Sequence, residues 1–131
     1  MSHDSSNEPD NKQLVLDFVD IAFVQRKPAE AAERYLGPRY TQHNPTASDG
    51  AEAFIGLVGG IFAQAPEASL QVKRAVAEEN LVVVHSHMTM FPGDPGQAVV
   101  DIFRVEDGRI VEHWDVMQPV PAESANTNGM F

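Results

Sequence analysis

The chain has 131 residues, 43% hydrophobic and 21% charged, with nineteen acidic against nine basic side chains and a formal charge of −10. That length suits one domain with a core and room for a cavity. The acidic balance repels nucleic-acid phosphates and anionic membranes, no apolar run approaches the ~20 residues of a membrane-spanning helix, and the lack of cysteine excludes disulfides, thiolate nucleophiles and sulfur-bound metals.

Residues 1–10 read as a polar, poorly ordered tail. They lack the basic start and apolar stretch of a secretory signal, which makes the cytoplasm the expected location. A single domain is expected over 11–121, followed by a polar tail over 122–131.

Asp10 is placed to cap a helix, with Gln13 reaching back to it. Leu14, Val15, Phe18, Val19, Ile21 and Ala22 then recur at helical spacing. Pro28 opens a second, shorter helix, stopped by Gly37-Pro38. Residues 39–44 follow as a short strand or loop, and a third helix is expected from a cap at Asp49 to the vicinity of Pro66. Gly59-Gly60 inside it marks either a close approach to a sheet or a kink.

From Ser69 the apolar period drops to two. Strands are expected over 70–77, 81–90, 97–105 and 109–117. The Asp107-Gly108 dipeptide between the last two is a hairpin signal, since both residues tolerate positive φ. Helices first and an antiparallel meander second give an α+β domain whose helices gather on one face of a curved sheet, leaving a cone with a mouth.

Several polar residues stand out in this frame. His85 and His87, two positions apart in an apolar strand, share one sheet face, either as half-exposed histidines or as a pocket lining. A strict two-residue turn at Asp107-Gly108 sets Asp101 opposite Trp114, flanked by Val99, Phe103 and Val105. Asp101 is then either a bonded structural aspartate or a carboxyl whose pKa is raised for moving protons. His87 falls at a similar depth. Tyr40, Gln42, His43 and Asn44 supply hydrogen-bonding groups near the mouth, or cap the next helix. Trp114 walls the cavity or belongs to the core. Strand alternation separates His113 and Asp115 from Glu112 and Trp114, so all four share a pocket only if a bulge intervenes. The face bearing Val82, Val84, Ser86, Met88 and Met90 is also apolar, which suggests a second copy of the chain against one side of the sheet.

The segments YTQHNPTASDG (40–50), VVVHSHM (82–88) and VVDIFRVEDGRIVEHWDVMQPVP (99–121) resemble the SnoaL-like polyketide cyclases of the nuclear-transport-factor-2-like superfamily, which also holds ketosteroid isomerases. The resemblance implies a cone-shaped α+β barrel, commonly dimeric, and aldol-type ring closure without metal or organic cofactor. It matches Asp101 to the family's general acid/base and His87 to the nearby histidine. With Asp101 as base, His87 serves as donor to the developing enolate oxygen, and His85, His43, Asn44, Tyr40, Trp114 and Phe103 contact the substrate, a small hydrophobic carbonyl compound.

Other readings remain open at this level. One is a non-catalytic binding or interaction module with the same pocket. Another is a metal site built on His85, His87 and a carboxylate or His113. A covalent hydrolase is disfavoured, because Ser86 alternates away from both histidines.

Overall fold

The computed structural model describes residues 10–131, so the tail expected over 1–10 lies, Asp10 excepted, outside the described residues. Helix α1 (Asn11–Val19) begins where Asp10 accepts the Gln13 amide at 3.0 Å. Only half of the expected capping box forms, because the Gln13 side chain donates to Asp17 at 2.8 Å instead. The helix continues as a π-helical turn, Asp20–Val24, and α2 (Pro28–Tyr35) opens on its proline as expected.

The sheet begins earlier than the glycine–proline pair suggests, with β1 at Leu36–Gln42. Helix α3 spans Ala51–Gln64 behind an N-cap at Gly50. Asp49 does not cap it, because its carboxylate accepts the Gln42 backbone amide at 2.7 Å and so ties the end of β1 to the helix entry. Gly59 and Gly60 sit in unbroken helix, and a Cβ built on either meets nothing within 4 Å. The expected close approach to a sheet is absent there.

Four strands follow, β2 (Ser69–Glu78), β3 (Leu81–Thr89), β4 (Gln97–Glu106) and β5 (Arg109–Pro119). They form an open five-stranded sheet in the order β1-β5-β4-β3-β2, antiparallel except for the parallel pair β1–β5. β1 and β2 are its edges, and the helices rather than strand closure complete the cone.

One face of the sheet carries the core. Phe18 of α1 is its centre, with ring centroids 5.1 Å from Phe54 of α3 and 5.8 Å from Phe103 of β4. Val82 and Val84 of β3 and Ile110 of β5 are fully buried beneath the helices. Val82, Val84 and Ser86 therefore face the interior, which leaves only the other side of the sheet for the expected second copy of the chain. Among the described residues no helix is long and apolar enough to cross a membrane.

The β3–β4 connection brings the backbone close to itself. Gly96 has φ +74°, and a Cβ there would lie 2.2 Å from the Met88 carbonyl oxygen, whereas Gly93, at φ +88°, has open space around it. Gly93→Ala is expected to lose only the left-handed penalty of about 1–2 kcal/mol. Gly96→Ala should lose a further ~1–3 kcal/mol through overpacking. Urea unfolding of the two variants measures the difference, and equal losses would contradict the close approach.

Candidate active site

The hairpin at Asp107-Gly108 forms as the dipeptide demands, with φ of 52° and 74°, and sets Glu106 opposite Arg109. One step further the register breaks. Val105 pairs with Ile110 but Arg104 pairs with Glu112, so Val111 is an extra residue in β5. A bulge of this kind reverses the parity of everything beyond it. The bulged side chain is accommodated by Gly37, where a Cβ would lie 3.1 Å from Val111 Cγ1.

The consequence is a different set of neighbours for Asp101. It lies opposite Asp115, not Trp114, and Phe103 lies opposite His113. His113 and Asp115 therefore turn inward with Asp101, while Glu112 and Trp114 turn outward. The outward pair is held by its own partners. Arg104 Nε donates to Glu112 at 2.8 Å, His43 contacts the other Glu112 oxygen at 2.7 Å, and Trp114 stacks on His43 with centroids 4.8 Å apart. The hydrogen bond from His43, followed by that from Arg104, holds the Glu112 carboxyl below its ordinary value.

The inward groups line a cavity of about 270 Å³. Its walls are apolar, including Phe18, Phe54, Val58 and Ile61 from the helices and Val99 and Phe103 from the sheet. Met88, Met90 and Met117 also line it, and Met90 and Met117 are exposed. Methionines there can adapt to the outline of an entering molecule. The polar groups cluster on β1, β4, β5 and the segment after β1: Tyr40, Gln42, Asn44, Asp101, His113 and Asp115. A mostly apolar hollow with a few convergent polar groups is the usual form of a small-molecule site, and this volume lies just below the ~300–1,000 Å³ range.

Hydrogen bonds fix the polar cluster. His113 Nε2 lies 2.8 Å from Asp101 Oδ1, and His113 Nδ1 lies 2.6 Å from Gln42 Oε1. Asn44 Nδ2 donates to both Asp115 oxygens, at 3.0 and 2.9 Å, while Asn44 Oδ1 accepts the amide and hydroxyl of Thr46. His113 is only 7% exposed. Burial raises the Asp101 carboxyl above its ordinary 3.8, with Asp115 adding to the rise and the His113 hydrogen bond and charge opposing it. Burial likewise pushes the Tyr40 phenol well above its ordinary 10.0, and the nearby Asp101 and Asp115 charges push the same way. Gln42 Nε2 approaches the Tyr40 oxygen at 3.5 Å, and the phenol hydrogen finds no acceptor among the described residues.

Of the residues picked from the sequence, Asp101, Phe103, Tyr40 and Asn44 line this cavity. The two histidines of β3 do not. His85 pairs with Val100 and His87 with Ala98, which puts both on the sheet face opposite Asp101. His87 Nε2 contacts the Pro95 carbonyl at 2.7 Å, and its ring stacks on Phe131 at 4.3 Å; His85 stacks on Phe131 at 5.7 Å and contacts Arg74. His43 and Trp114 are on that outer side too. His87 is thus corrected from partner of Asp101 to a residue of the outer face, and His113 takes its place. A second hollow of about 330 Å³, lined by Phe23, Arg26, Gln71, His87 and Thr89 among others, contains neither Asp101 nor His113.

Gln42, read from the sequence as a group near the mouth, lines the cavity, whereas His113 and Asp115 are the site residues that strand alternation missed. One signal in the sequence pointed to them. Strict alternation puts Arg104 opposite Val111, and only an extra residue sets it against Glu112, its complement in charge. Asp101, His113 and Asp115 are also close enough to share an ion, their candidate atoms lying within 4.8 Å of one another. Those atoms are already engaged with each other and with Asn44, so we do not assign them as metal ligands. Ser86 Oγ is buried without a hydrogen-bond partner among the described residues, and no histidine activates it.

The fold is shared with proteins from several bacteria. TsrD from Streptomyces laurentii is 23% identical, with 84% of this chain and 90% of that chain covered at a TM-score of 0.67. A putative polyketide cyclase from Acidithiobacillus ferrooxidans is 18% identical over 85% and 89% of the two chains, at 0.69. An NTF2-like protein from Cytophaga hutchinsonii is 20% identical over 83% and 90%, at 0.68. Identities this low establish the fold alone. No curated protein sequence matches the chain. The SnoaL-like domain model matches residues 15–113, from within α1 to the inward-facing histidine of β5, and the chain therefore belongs to the SnoaL-like domain family.

Proposed function

We propose that this protein is a cofactor-independent enzyme that moves a proton at the carbon beside a carbonyl group, leading to aldol-type ring closure or to isomerisation of a small hydrophobic substrate. The observation that carries this reading is a buried carboxyl, Asp101, hydrogen-bonded to a buried imidazole at 2.8 Å inside an otherwise apolar cavity. Burial shifts Asp101 toward a pKa useful in proton transfer, and an enolate needs a base on one side and a donor on the other.

Asp101 takes the proton from the substrate carbon, and the electron pair moves onto the carbonyl oxygen. The Tyr40 hydroxyl, protonated and without another acceptor among the described residues, donates to that oxygen. In ring closure the enolate carbon bonds to a second carbonyl of the same molecule, whose oxygen takes the proton back from Asp101. In isomerisation the proton returns to a different carbon. His113 holds the Asp101 carboxyl in position, and the Asn44–Asp115 pair supplies a polar edge for orientation.

The test is hydrogen–deuterium exchange at the activated carbon in a panel of one- and two-ring β-dicarbonyl compounds, followed by NMR in deuterated water. Asp101→Asn should lower exchange by about 10²–10⁴-fold, the usual contribution of a positioned base, while ligand affinity is retained. Absence of exchange with every compound that binds would instead identify a binding module. His87→Asn, on the outer face, should leave exchange unchanged.

The raised Asp101 carboxyl also makes a stability statement. A carboxyl whose native pKa exceeds its unfolded value contributes stability that is complete below that unfolded value, here near 3.8, and lost as pH rises through the native one. Asp101→Asn removes this dependence, since its amide can donate to His113 as the protonated acid does. The variant should therefore gain stability relative to wild type as pH rises above 3.8 in urea unfolding, and a constant difference would contradict a raised pKa.

A homodimer is part of the same proposal, through the outer sheet face. That face exposes three apolar side chains, Val76 (62%), Leu81 (40%) and Val116 (69%), which supports a partner there. Sedimentation should give a dimer for wild type and a monomer for the Val76→Glu, Val116→Glu double variant. A wild-type monomer would discard this part.

A further inference from the structure

His113 faces an oxygen on each side, at 2.6 Å from Gln42 and 2.8 Å from Asp101. Which ring nitrogen carries the proton follows from a group that is neither of them. The Gln42 side-chain oxygen also accepts the backbone amides of His43 and Asn44, each at 3.1 Å. The His43 amide is shared with the His113 backbone carbonyl at 3.0 Å, but the Asn44 amide has the Gln42 oxygen as its acceptor, which sets the Gln42 amide with its carbonyl toward both. The same carbonyl then meets His113 Nδ1, and that contact can be a hydrogen bond only if Nδ1 carries the hydrogen.

We infer that Gln42 is a positioning residue that locks His113 in the Nδ1–H form, so that the hydrogen bond between His113 Nε2 and Asp101 Oδ1 forms only while the pair shares one proton on that axis. Two arrangements satisfy this geometry: a protonated Asp101 donating to neutral His113, or an imidazolium donating to the Asp101 carboxylate. The lock excludes a third, a neutral Nε2–H imidazole beside a carboxylate, in which the pair would hold one proton fewer. Loss of the shared proton leaves a carboxylate facing an imidazole lone pair at 2.8 Å, and the repulsion drives its recovery. The mechanistic meaning rests on the proton-handling role proposed for Asp101, whereas the tautomer itself is a property of the resting protein.

Among the described residues no other group competes for the His113 ring nitrogens. Asp101 faces it from β4, and Asp115 on its own strand comes no closer than 3.9 Å to Nε2. Tyr40 of β1 stacks 6.4 Å from the ring and the Phe103 ring packs at 4.9 Å. Arg104 and Glu112, the nearby charged groups of the last hairpin, pair with each other on the opposite face.

Long-range ¹⁵N–¹H correlation spectra of the uniformly labelled full chain read the tautomer with no substrate present, His113 being assigned from its loss in His113→Gln. Wild type should show a protonated Nδ1 at every pH at which the protein is folded. Gln42→Glu, which keeps the acceptor, should retain it. Gln42→Met should switch the neutral ring to the Nε2–H form. An unprotonated Nδ1 in wild type, or a Gln42→Met ring that keeps its Nδ1 proton, would overturn the inference. Should Gln42→Met not fold, wild type and Gln42→Glu still decide it. Failure of the exchange assay with an intact lock would remove the proposed reaction and leave this result standing.

Discussion

The site depends on one extra residue in β5. Because side chains alternate across a strand, the bulge at Val111 sends His113 and Asp115 into the interior and Glu112 and Trp114 out of it. Without it, Asp101 would share its face with an indole and lack a hydrogen-bonding imidazole. The bulge has support on both sides of the strand. Gly37 leaves room for the Val111 side chain, and the Arg104–Glu112 pair forms on the outer face only in the shifted register.

Given that register, the chemistry of Asp101 is a contest between two effects. Burial disfavours its charge and raises its pKa, and the hydrogen bond and charge of His113 oppose the rise; burial wins. A carboxyl with no partner would be costly to bury. The hydrogen bond to His113 keeps the group tolerable inside the core, and the apolar walls contributed by Phe18, Phe54 and Phe103 keep it responsive. The fold supplies the hollow, and what the hollow can do depends on which groups point into it.

The outer face of the sheet shows the same alternation from the other side. His85 and His87 lie there under Phe131, Trp114 lies against His43, and Val76 and Val116 are open. Residues that look like a site in the sequence thus form a surface. An imidazole in an apolar strand is compatible with either face, because each of its two neighbours along the chain points the opposite way.

The order of elements, the limits of β2 to β5 to within a residue or two, the Pro28 helix start and the Asp107-Gly108 turn were determined by the sequence alone. Each follows from local periodicity or from the backbone preference of a single residue. Asp101, Tyr40, Asn44 and Phe103 were legible as cavity residues for a similar reason: Asp101 sits on an apolar strand, and the 40–44 segment is dense in hydrogen-bonding groups. The imidazole beside the aspartate was decided only by the tertiary structure. Its choice turned on pairing between strands, where the Arg104–Glu112 attraction and the space at Gly37 favour a one-residue shift that strand alternation within β5 alone does not encode.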